Sequence, residues 1–259
     1  FYVDAERPMY GSRPAGCLMK TSWMSSLGKD VYEPALKTLD KLYALETVEL
    51  KTRPLNRTVT AFWIPPSRIM DRVVHKGTVT RITHENLQSK TLKEKGKPLA
   101  KLKMDTGWWH VRANLIVVAT GSWTNKLFPN VEVTGRLGAA FVWENSHVES
   151  NFVSLWAPYK QIVCLNGWQP NTVWCGDGSA ILAKNFGQER IRKSAKRCAA
   201  ATGLELGKAK TLVGSRPFTD RSPCWLEEVM DSVWVATGGG KNGTISAGWA
   251  ACQISQAVT

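Results

Sequence analysis

The residues best suited to do chemistry lie near the end of the chain. A strand-like stretch ends there in Gly214-Ser215-Arg216-Pro217, and after a polar turn the run Ser232-Val233-Trp234-Val235-Ala236-Thr237 predicts another strand. The glycine loop, residues 238–243 (Gly-Gly-Gly-Lys-Asn-Gly), comes next, and a helix of small residues is predicted from Thr244 towards Ser255. The loop favours an electron-rich group, because the first-turn N–H groups of a helix are unpaired and its dipole is positive there.

The glycine loop matches G-x-G-x-x-G between a strand and a helix, which is the setting of a dinucleotide-binding fingerprint. It cannot open a Rossmann unit, because only sixteen residues follow Gly243 in the 259-residue chain. A βαβ unit with its second strand and ribose-binding acid needs about thirty residues. We therefore expect the loop to serve a bound group in another way.

Three segments together resemble the D-amino-acid oxidase / glycine oxidase family of flavoenzymes. The C-terminal Arg-Pro, strand, glycine loop and helix resemble the closing element of that family. Residues 113–123, which end in Ala-Thr-Gly-Ser-Trp, resemble its second flavin-domain strand, and residues 11–19 resemble the loop after its second Rossmann strand. The resemblance implies an α/β fold, with an FAD-binding Rossmann-like domain and a substrate domain of antiparallel sheet.

The start of the chain departs from the family pattern. The family opens with a strand, G-x-G-x-x-G and a helix, whereas this chain begins at Phe1-Tyr2-Val3-Asp4, which resembles the end of the second Rossmann strand. We expect an N-terminal truncation of about thirty residues, the size of the missing βα unit. Asp4 stands where the family's acid bonds the adenosine ribose, and Glu6 competes with it for that role.

The resemblance implies that FAD carries the chemistry and that the protein binds and orients an amino-acid substrate. In such enzymes a neutral amine α to a carboxylate gives hydride from its carbon to the flavin. Arg216 would clamp the substrate carboxylate, and Lys241 would add a second positive charge; a structural salt bridge for Arg216 and a solvent-facing Lys241 are the alternatives. Met19 and Lys20 would reach the substrate side.

The resemblance also assigns residues to the cofactor. Residues of the glycine loop and the helix start would lie along the flavin ring: Gly239, Gly240, Asn242, Gly243, Thr244 and Ile245. Residues near the start would line the pyrophosphate, ribityl chain and flavin face: Ser12, Arg13, Gly16, Cys17 and Leu18. The backbone of Val79 would pair with adenine, and Ala119, Thr120 and Gly121 form the family's Ala-Thr-Gly motif.

Net charge is the strongest compositional signal. Thirty-four Lys and Arg residues oppose twenty-one Asp and Glu, which gives +13 at pH 7. Lysines concentrate in residues 90–103, which predict a hairpin beside Trp108-Trp109, and basic residues concentrate in 184–197, a predicted helix (Lys184, Arg190, Arg192, Lys193, Lys196, Arg197). A solvated basic surface and a nucleic-acid partner stay open as explanations. Trp108 and Trp109 could stack on bases or simply pack.

Some virus-encoded members of the family process an amino acid attached to thymine in DNA. A glycyl group on a DNA base is therefore the sharper substrate hypothesis beside a free small amino acid. The third hypothesis is a nucleic-acid-binding protein that has a flavin-type fold and no enzymatic turnover.

Composition sets the remaining bounds. No apolar run reaches membrane-spanning length and no signal peptide is visible, which predicts a cytoplasmic protein, or host cytoplasm for a viral one. The six cysteines and four histidines show no metal-binding spacing, so no metal site is expected.

Apolar periodicity predicts helices over 25–45 and 67–74, and strands over 58–64, 77–82, 99–104, 108–112, 115–119, 139–143, 153–157, 162–165 and 173–175. We expect a discontinuous FAD-binding domain (1–50, 67–123, 212–259) around a substrate domain (51–66, 124–211).

Overall fold

The computed structural model describes residues 3–4, 17–20, 24–65, 68, 75–84, 97–156 and 160–259. Within these ranges the chain forms three sheets and three α-helices. The strands, in chain order, are β1 (Val3–Asp4), β2 (Leu18–Lys20), β3 (Glu46–Arg53), β4 (Arg57–Trp63), β5 (His75–His84), β6 (Pro98–Met104), β7 (Gly107–Arg112), β8 (Ile116–Val118), β9 (Thr134–Glu144), β10 (Phe152–Trp156), β11 (Lys160–Asn166), β12 (Thr172–Gly176), β13 (Ile181–Leu182), β14 (Lys210–Phe218), β15 (Trp225–Met230) and β16 (Val233–Thr237). The helices are α1 (Lys29–Tyr43), α2 (Gln188–Thr202) and α3 (Gly243–Val258).

The largest sheet runs in the order β13-β9-β12-β11-β10-β3-β4-β2 and carries β14 on the opposite edge of β9. Its pairs are antiparallel, apart from the parallel pair of β10 with β3. One core cluster fills the space between this sheet and α2, with Phe141, Trp143, Phe152 and Cys198 almost fully buried. The predicted α/β fold class is confirmed.

Two smaller sheets complete the fold. The first has the order β1-β5-β6-β7, and the second has the order β15-β16-β8. In the second sheet β16 and β8 run parallel, with Val233 opposite Ile116 and Val235 opposite Val118. Because parallel strands end at the same edge, the residues that follow β8 and β16 meet on one side of this sheet.

Helix α1 packs against α3. Val31, Ala35 and Leu39 recur at every fourth position and are buried, which is the periodicity that predicted this helix. The two helices approach so closely that a Cβ added at Gly248 of α3 would lie 2.7 Å from the carbonyl oxygen of Ala35. This contact fixes the position of α3 and of the glycine loop before it.

The strands predicted from periodicity are present, with ends shifted by a few residues, but several elements differ from expectation. Residues 18–20 form strand β2, whereas the family resemblance implied a loop over residues 11–19. Residues 225–230 form β15, where a polar turn was predicted, because pairing with β16 stabilises a segment that contains Glu227 and Glu228. Strand β3 was not predicted at all. The helix predicted over 67–74 lies outside the described residues except for position 68. The proposed domain boundaries stay a prediction.

Several compositional expectations can be compared with the structure. The six cysteines are free thiols, five of them buried and Cys252 half-buried. Of the tryptophans expected in the core, Trp143 and Trp174 are buried, whereas Trp123 and Trp234 are half-buried. In the described ranges, none of the helices has both the length and the apolar character needed to span a membrane.

Candidate functional site

The glycine loop is held tightly against its neighbours. Gly239 forms an isolated antiparallel bridge with Phe218, the last residue of β14. A Cβ added at Gly239 would lie 2.8 Å from the Cα of Gly243, and one added at Gly240 would lie 2.9 Å from the ring of Phe218. Gly238 and Gly240 also have positive φ values of 86° and 53°. Glycine is therefore favoured at Gly238 and Gly240 by their left-handed backbone, and at Gly239 because a side chain would collide with the main chain of Gly243.

The turn after β8 meets the glycine loop at the carboxyl edge of the small parallel sheet. Thr237, the last residue of β16, donates a hydrogen bond from its hydroxyl to the carbonyl oxygen of Gly121 over 3.0 Å. The hydroxyls of Ser122 and Ser215 share a hydrogen bond of 2.8 Å. The structure thus brings Gly121 of the Ala-Thr-Gly motif, the end of β16 before the glycine loop, and β14 together.

Residues from the first part of the chain join this edge. Cys17, Met19 and Ile245 are buried in one cluster with residues of α1. Burial raises the pKa of the Cys17 thiol to about 11, and a hydrogen bond with Thr244 opposes that rise. The contact links the residues before β2 to the first turn of α3. Ser12, Arg13 and Gly16 lie outside the described residues, so their predicted roles stay predictions.

Arg216 lies on β14, two residues before Phe218. Its Nη1 donates to the carbonyl oxygens of Gly178 at 3.2 Å and Ser179 at 3.5 Å, which belong to the loop after β12. Burial lowers the pKa of Arg216, and the nearby negative charge of Asp177 works in the opposite direction. The side chain is half-buried. A desolvated guanidinium with donors left over after two backbone contacts is suited to a carboxylate ligand.

A buried ion pair fixes the loop that Arg216 contacts. The Asp177 side chain is fully buried and pairs with Arg197 of α2. Asp177 also accepts hydrogen bonds from the Ser179 hydroxyl at 2.5 Å and from the Ser179 N–H at 3.0 Å. Burial acts to raise the pKa of Asp177, but the bonds from Ser179 and Arg197 outweigh it and leave this pKa below its ordinary value.

Arg136 is a candidate that sequence reasoning missed. It lies on β9 directly opposite Arg216 of β14, and its guanidinium sits 4.7 Å from the centroid of the Phe218 ring. The two arginines therefore share one face of the strand pair, close to the glycine loop. The sequence holds no motif around Arg136 that would have identified it, because its position follows from the β9–β14 register.

The other predicted residues have less specific surroundings. Lys241 is exposed, which leaves open both the proposed second cation and the solvent-facing alternative. Lys20 is half-buried on β2, beside Leu18 and Met19 of the same strand. Asp4 ends β1 opposite Lys76, and Val79 lies on β5 opposite Leu102. Asn242 is half-buried at the N-cap position of α3, where its side chain makes no capping hydrogen bond, and Ala119 and Thr120 lie directly after β8.

The predicted basic helix, now α2, is only partly a charged surface. Arg197 is half-buried and pairs with Asp177, and Lys193 pairs with Glu189 at 2.6 Å, so these two cations are matched. Arg192 and Lys196 are exposed. The apolar stripe is as predicted, with Ala195, Cys198 and Ala199 buried. Among the described residues, no group of His, Cys, Asp and Glu is arranged to hold a metal ion.

The glycine loop has the features that the implied flavin needs. Gly239 and Gly240 carry no side chains of their own to cover their peptide N–H groups, and close packing leaves no room for an added Cβ at either position. The first turn of α3 begins at Gly243, so the positive end of this 16-residue helix lies beside the glycine loop. The described residues on this side of the site fit FAD.

Comparison with known proteins supports the fold assignment. No protein-family model matches the chain, and no curated protein matches it in sequence. The FAD-dependent oxidoreductase PA4991 from Pseudomonas aeruginosa is similar in structure, with a TM-score of 0.60, 12% identity, and coverage of 95% of this chain and 80% of that one. The fold is thus that of FAD-dependent oxidoreductases.

Two amine-oxidising enzymes are also similar. Glycine oxidase from Geobacillus kaustophilus gives a TM-score of 0.52 at 15% identity and matches 85% of this chain and 64% of its own. L-proline dehydrogenase from P. horikoshii gives 0.52 at 13% identity and matches 85% of this chain and 63% of its own. The chain therefore spans slightly less than two thirds of these two proteins.

Proposed function

We propose that this protein is an FAD-dependent oxidoreductase that oxidises the C–N bond of a small amino-acid-like substrate. One observation carries the proposal: the turn after β8, which contains Gly121, meets the end of β16 just before the glycine loop, and Arg216 lies two residues before Phe218, which pairs with Gly239. Similarity to glycine oxidase and proline dehydrogenase supports this type of chemistry. FAD, when bound, would accept hydride from the carbon that carries the amine.

The protein's part in this reaction is to bind and to orient. Gly239, Gly240, Gly243 and Thr244 would hold the flavin ring, with main-chain N–H groups and the α3 dipole favouring negative charge on it. Arg216 would bind the substrate carboxylate through two parallel hydrogen bonds, which a planar guanidinium can form. Arg136 would add positive charge on the same face of the strand pair, nearer to Phe218.

The test begins with the absorption spectrum of the purified protein, in which flavin bands are expected. Glycine, sarcosine and a set of D-amino acids are then mixed with the protein without oxygen, and bleaching of the flavin bands reports reduction. We expect at least one of these amino acids to bleach the flavin. A flavin that none of them reduces, although dithionite does, contradicts the proposed substrate class.

A glycine substitution tests where the flavin lies. A Cβ added at Gly243 has no atom within 4 Å, and the φ of −52° at this first residue of α3 suits alanine, so Gly243→Ala should leave the fold intact. If the ring lies against this turn, the variant should lose flavin on gel filtration, while its flavin-free form should melt at the same temperature as the flavin-free wild type. Full flavin retention would remove Gly243 from the cofactor site.

An amino-acid group carried on a nucleic-acid base remains a second candidate substrate, and the net charge of +13 is the observation that favours it. The anaerobic assay distinguishes the two candidates when an oligonucleotide with a glycyl-modified base replaces the free amino acid. Faster bleaching by the oligonucleotide than by glycine supports the second candidate, and no bleaching contradicts it.

A further inference from the structure

The outer face of the β5–β6–β7 sheet is a flat surface of cations around one exposed tryptophan. Register defines this face: Lys103 lies opposite Trp108, and Lys101 lies between Arg81 and His110. Arg112 continues it along β7. These side chains are exposed, Trp108 to 57%. The opposite face of the same strands is apolar and packs Ala100, Leu102 and Met104 into the core. We call the first face the basic sheet face.

The three strands that carry the basic sheet face are rich in cations and lack carboxylates. Strands β5, β6 and β7 contain no Asp or Glu at any position. Arg81 and Lys101 are cross-strand partners, and like charges directly opposite each other destabilise a sheet. Repulsion between these two cations lowers the stability of the free protein, and a bound anion would relieve this repulsion.

Trp108 shows which kind of anion fits. Its ring lies 4.6 Å from the ammonium group of Lys101, so an aromatic surface and a phosphate-binding cation are adjacent. Stacking of a base on an exposed aromatic side chain, with the backbone following cations, is how proteins hold single strands without reading sequence. A membrane surface fits less well, because interfacial binding needs a broad apolar face and Trp108 is the one largely exposed apolar side chain on the described outer face of these strands.

We propose that the basic sheet face binds single-stranded nucleic acid, with phosphates on Arg81, Lys101 and Lys103 and a base stacked on Trp108. The surface is on a different sheet from the glycine loop and Arg216, so the inference does not depend on the oxidation chemistry. It also differs from α2, where two of the five cations, Lys193 and Arg197, are paired with carboxylates.

The experiment measures fluorescence anisotropy of a short labelled oligodeoxythymidine with the purified protein over a range of salt concentrations. Trp108→Ala should weaken binding about thirtyfold, the middle of the range of about 1–3 kcal/mol that a stacking aromatic contributes. Lys101→Glu/Lys103→Glu should lower the slope of log affinity against log salt by about 0.7 for each phosphate that is no longer neutralised. Arg192→Glu/Lys196→Glu on α2 is the matched control, because it changes the net charge equally, and it should bind nearly as the wild type does.

Two further ligands identify the partner class. Poly-L-glutamate carries charge without bases, so Trp108→Ala should leave its binding unchanged. Phosphatidylserine vesicles test the membrane alternative. The proposal is overturned if the oligonucleotide does not bind at low salt, or if the α2 control variant weakens its binding as much as the variants of the basic sheet face do. It is also overturned if Trp108→Ala weakens the binding of poly-L-glutamate as much as that of the oligonucleotide, or if vesicles bind more tightly than the oligonucleotide. Circular dichroism of each variant shows that the fold is retained, and flavin reduction by an amino acid should be unaffected.

Discussion

Two cation-rich regions of this molecule differ in the burial and pairing of their charges. Around the loop after β12, Arg197 is paired with a fully buried carboxylate and Arg216 contacts two backbone carbonyls. On the basic sheet face, Arg81 and Lys101 are exposed and face each other across neighbouring strands. The first region uses cations to fix main chain near the candidate site, and the second presents cations to solvent. A net charge of +13 does not distinguish these two uses, whereas burial and pairing do.

The largest expected effect lies in the buried region. Arg197→Ala leaves Asp177 as an unpaired buried charge, which should lower the free energy of unfolding by about 3–5 kcal/mol. Urea unfolding followed by circular dichroism measures this change. Arg192→Ala on the same helix is the matched control, because Arg192 is exposed, and a change within about 0.5 kcal/mol is expected there. Equal effects in the two variants would mean that Arg197 does not serve as a structural cation.

Arg216 tests whether the buried region also serves the substrate. Arg216→Lys replaces a planar fork by a point charge, and hydrogen bonds to charged groups contribute about 1.5–3 kcal/mol each. Flavin reduction by the amino-acid substrate should therefore slow by roughly ten- to a hundredfold, with a much smaller fall in melting temperature. Arg53→Lys is a suitable control, because Arg53 also donates to a backbone carbonyl, that of Ala201 at 3.1 Å, at another part of the large sheet. Unchanged reduction by the Arg216 variant would assign Arg216 to structure alone.

The acid dependence of stability reports on Asp177. Its pKa is lowered in the folded protein, so its stabilising contribution is complete above the ordinary pKa of an aspartate, about 3.9, and is lost as the pH falls through the lower folded value. Asp177→Asn should remove this part of the loss, so that its melting temperature falls less steeply with acid than that of the wild type. Parallel curves for the two proteins would show that the hydrogen bonds from Ser179 and Arg197 do not hold Asp177 ionised.

The prediction from sequence was most successful where the signal is local. The alternation in residues 58–64 and 99–104 and the fourfold spacing of Val31, Ala35 and Leu39 predicted β4, β6 and α1, because burial of one face imposes these periods. Strand β3 was missed because its sequence, Glu-Thr-Val-Glu-Leu-Lys-Thr-Arg, is mostly polar, and its pairing with β4 and β10 is what stabilises it.

The candidate site was predictable in part. Arg216 and the glycine loop follow one another in the chain in the order that the family shows, so the sequence predicts both as site residues. The sequence does not predict the hydrogen-bond partners of Arg216, because Gly178 and Ser179 are nearly forty residues away. It does not predict the Asp177–Arg197 pair either, because this pair joins a loop to a helix. Arg197 was assigned to a basic surface for the same reason: its charge is visible in the sequence, and its partner is not.

The smallest expected effect is a change in the free energy of unfolding on the basic sheet face, where the direction of the change is the informative result. Arg81→Glu places a carboxylate directly opposite Lys101, which turns a repulsive cross-strand pair into an attractive one. The free energy of unfolding should rise by about 0.2–1 kcal/mol, the range of favourable cross-strand pairs. The same variant should bind the labelled oligodeoxythymidine more weakly, because it replaces a phosphate-binding cation by a charge that repels phosphate. Arg81→Gln separates the two effects, since it removes the repulsion without adding attraction. A gain in stability together with weaker binding would show that this face keeps an unfavourable charge arrangement for a partner, whereas a loss of stability in both variants would mean that Arg81 supports the sheet itself.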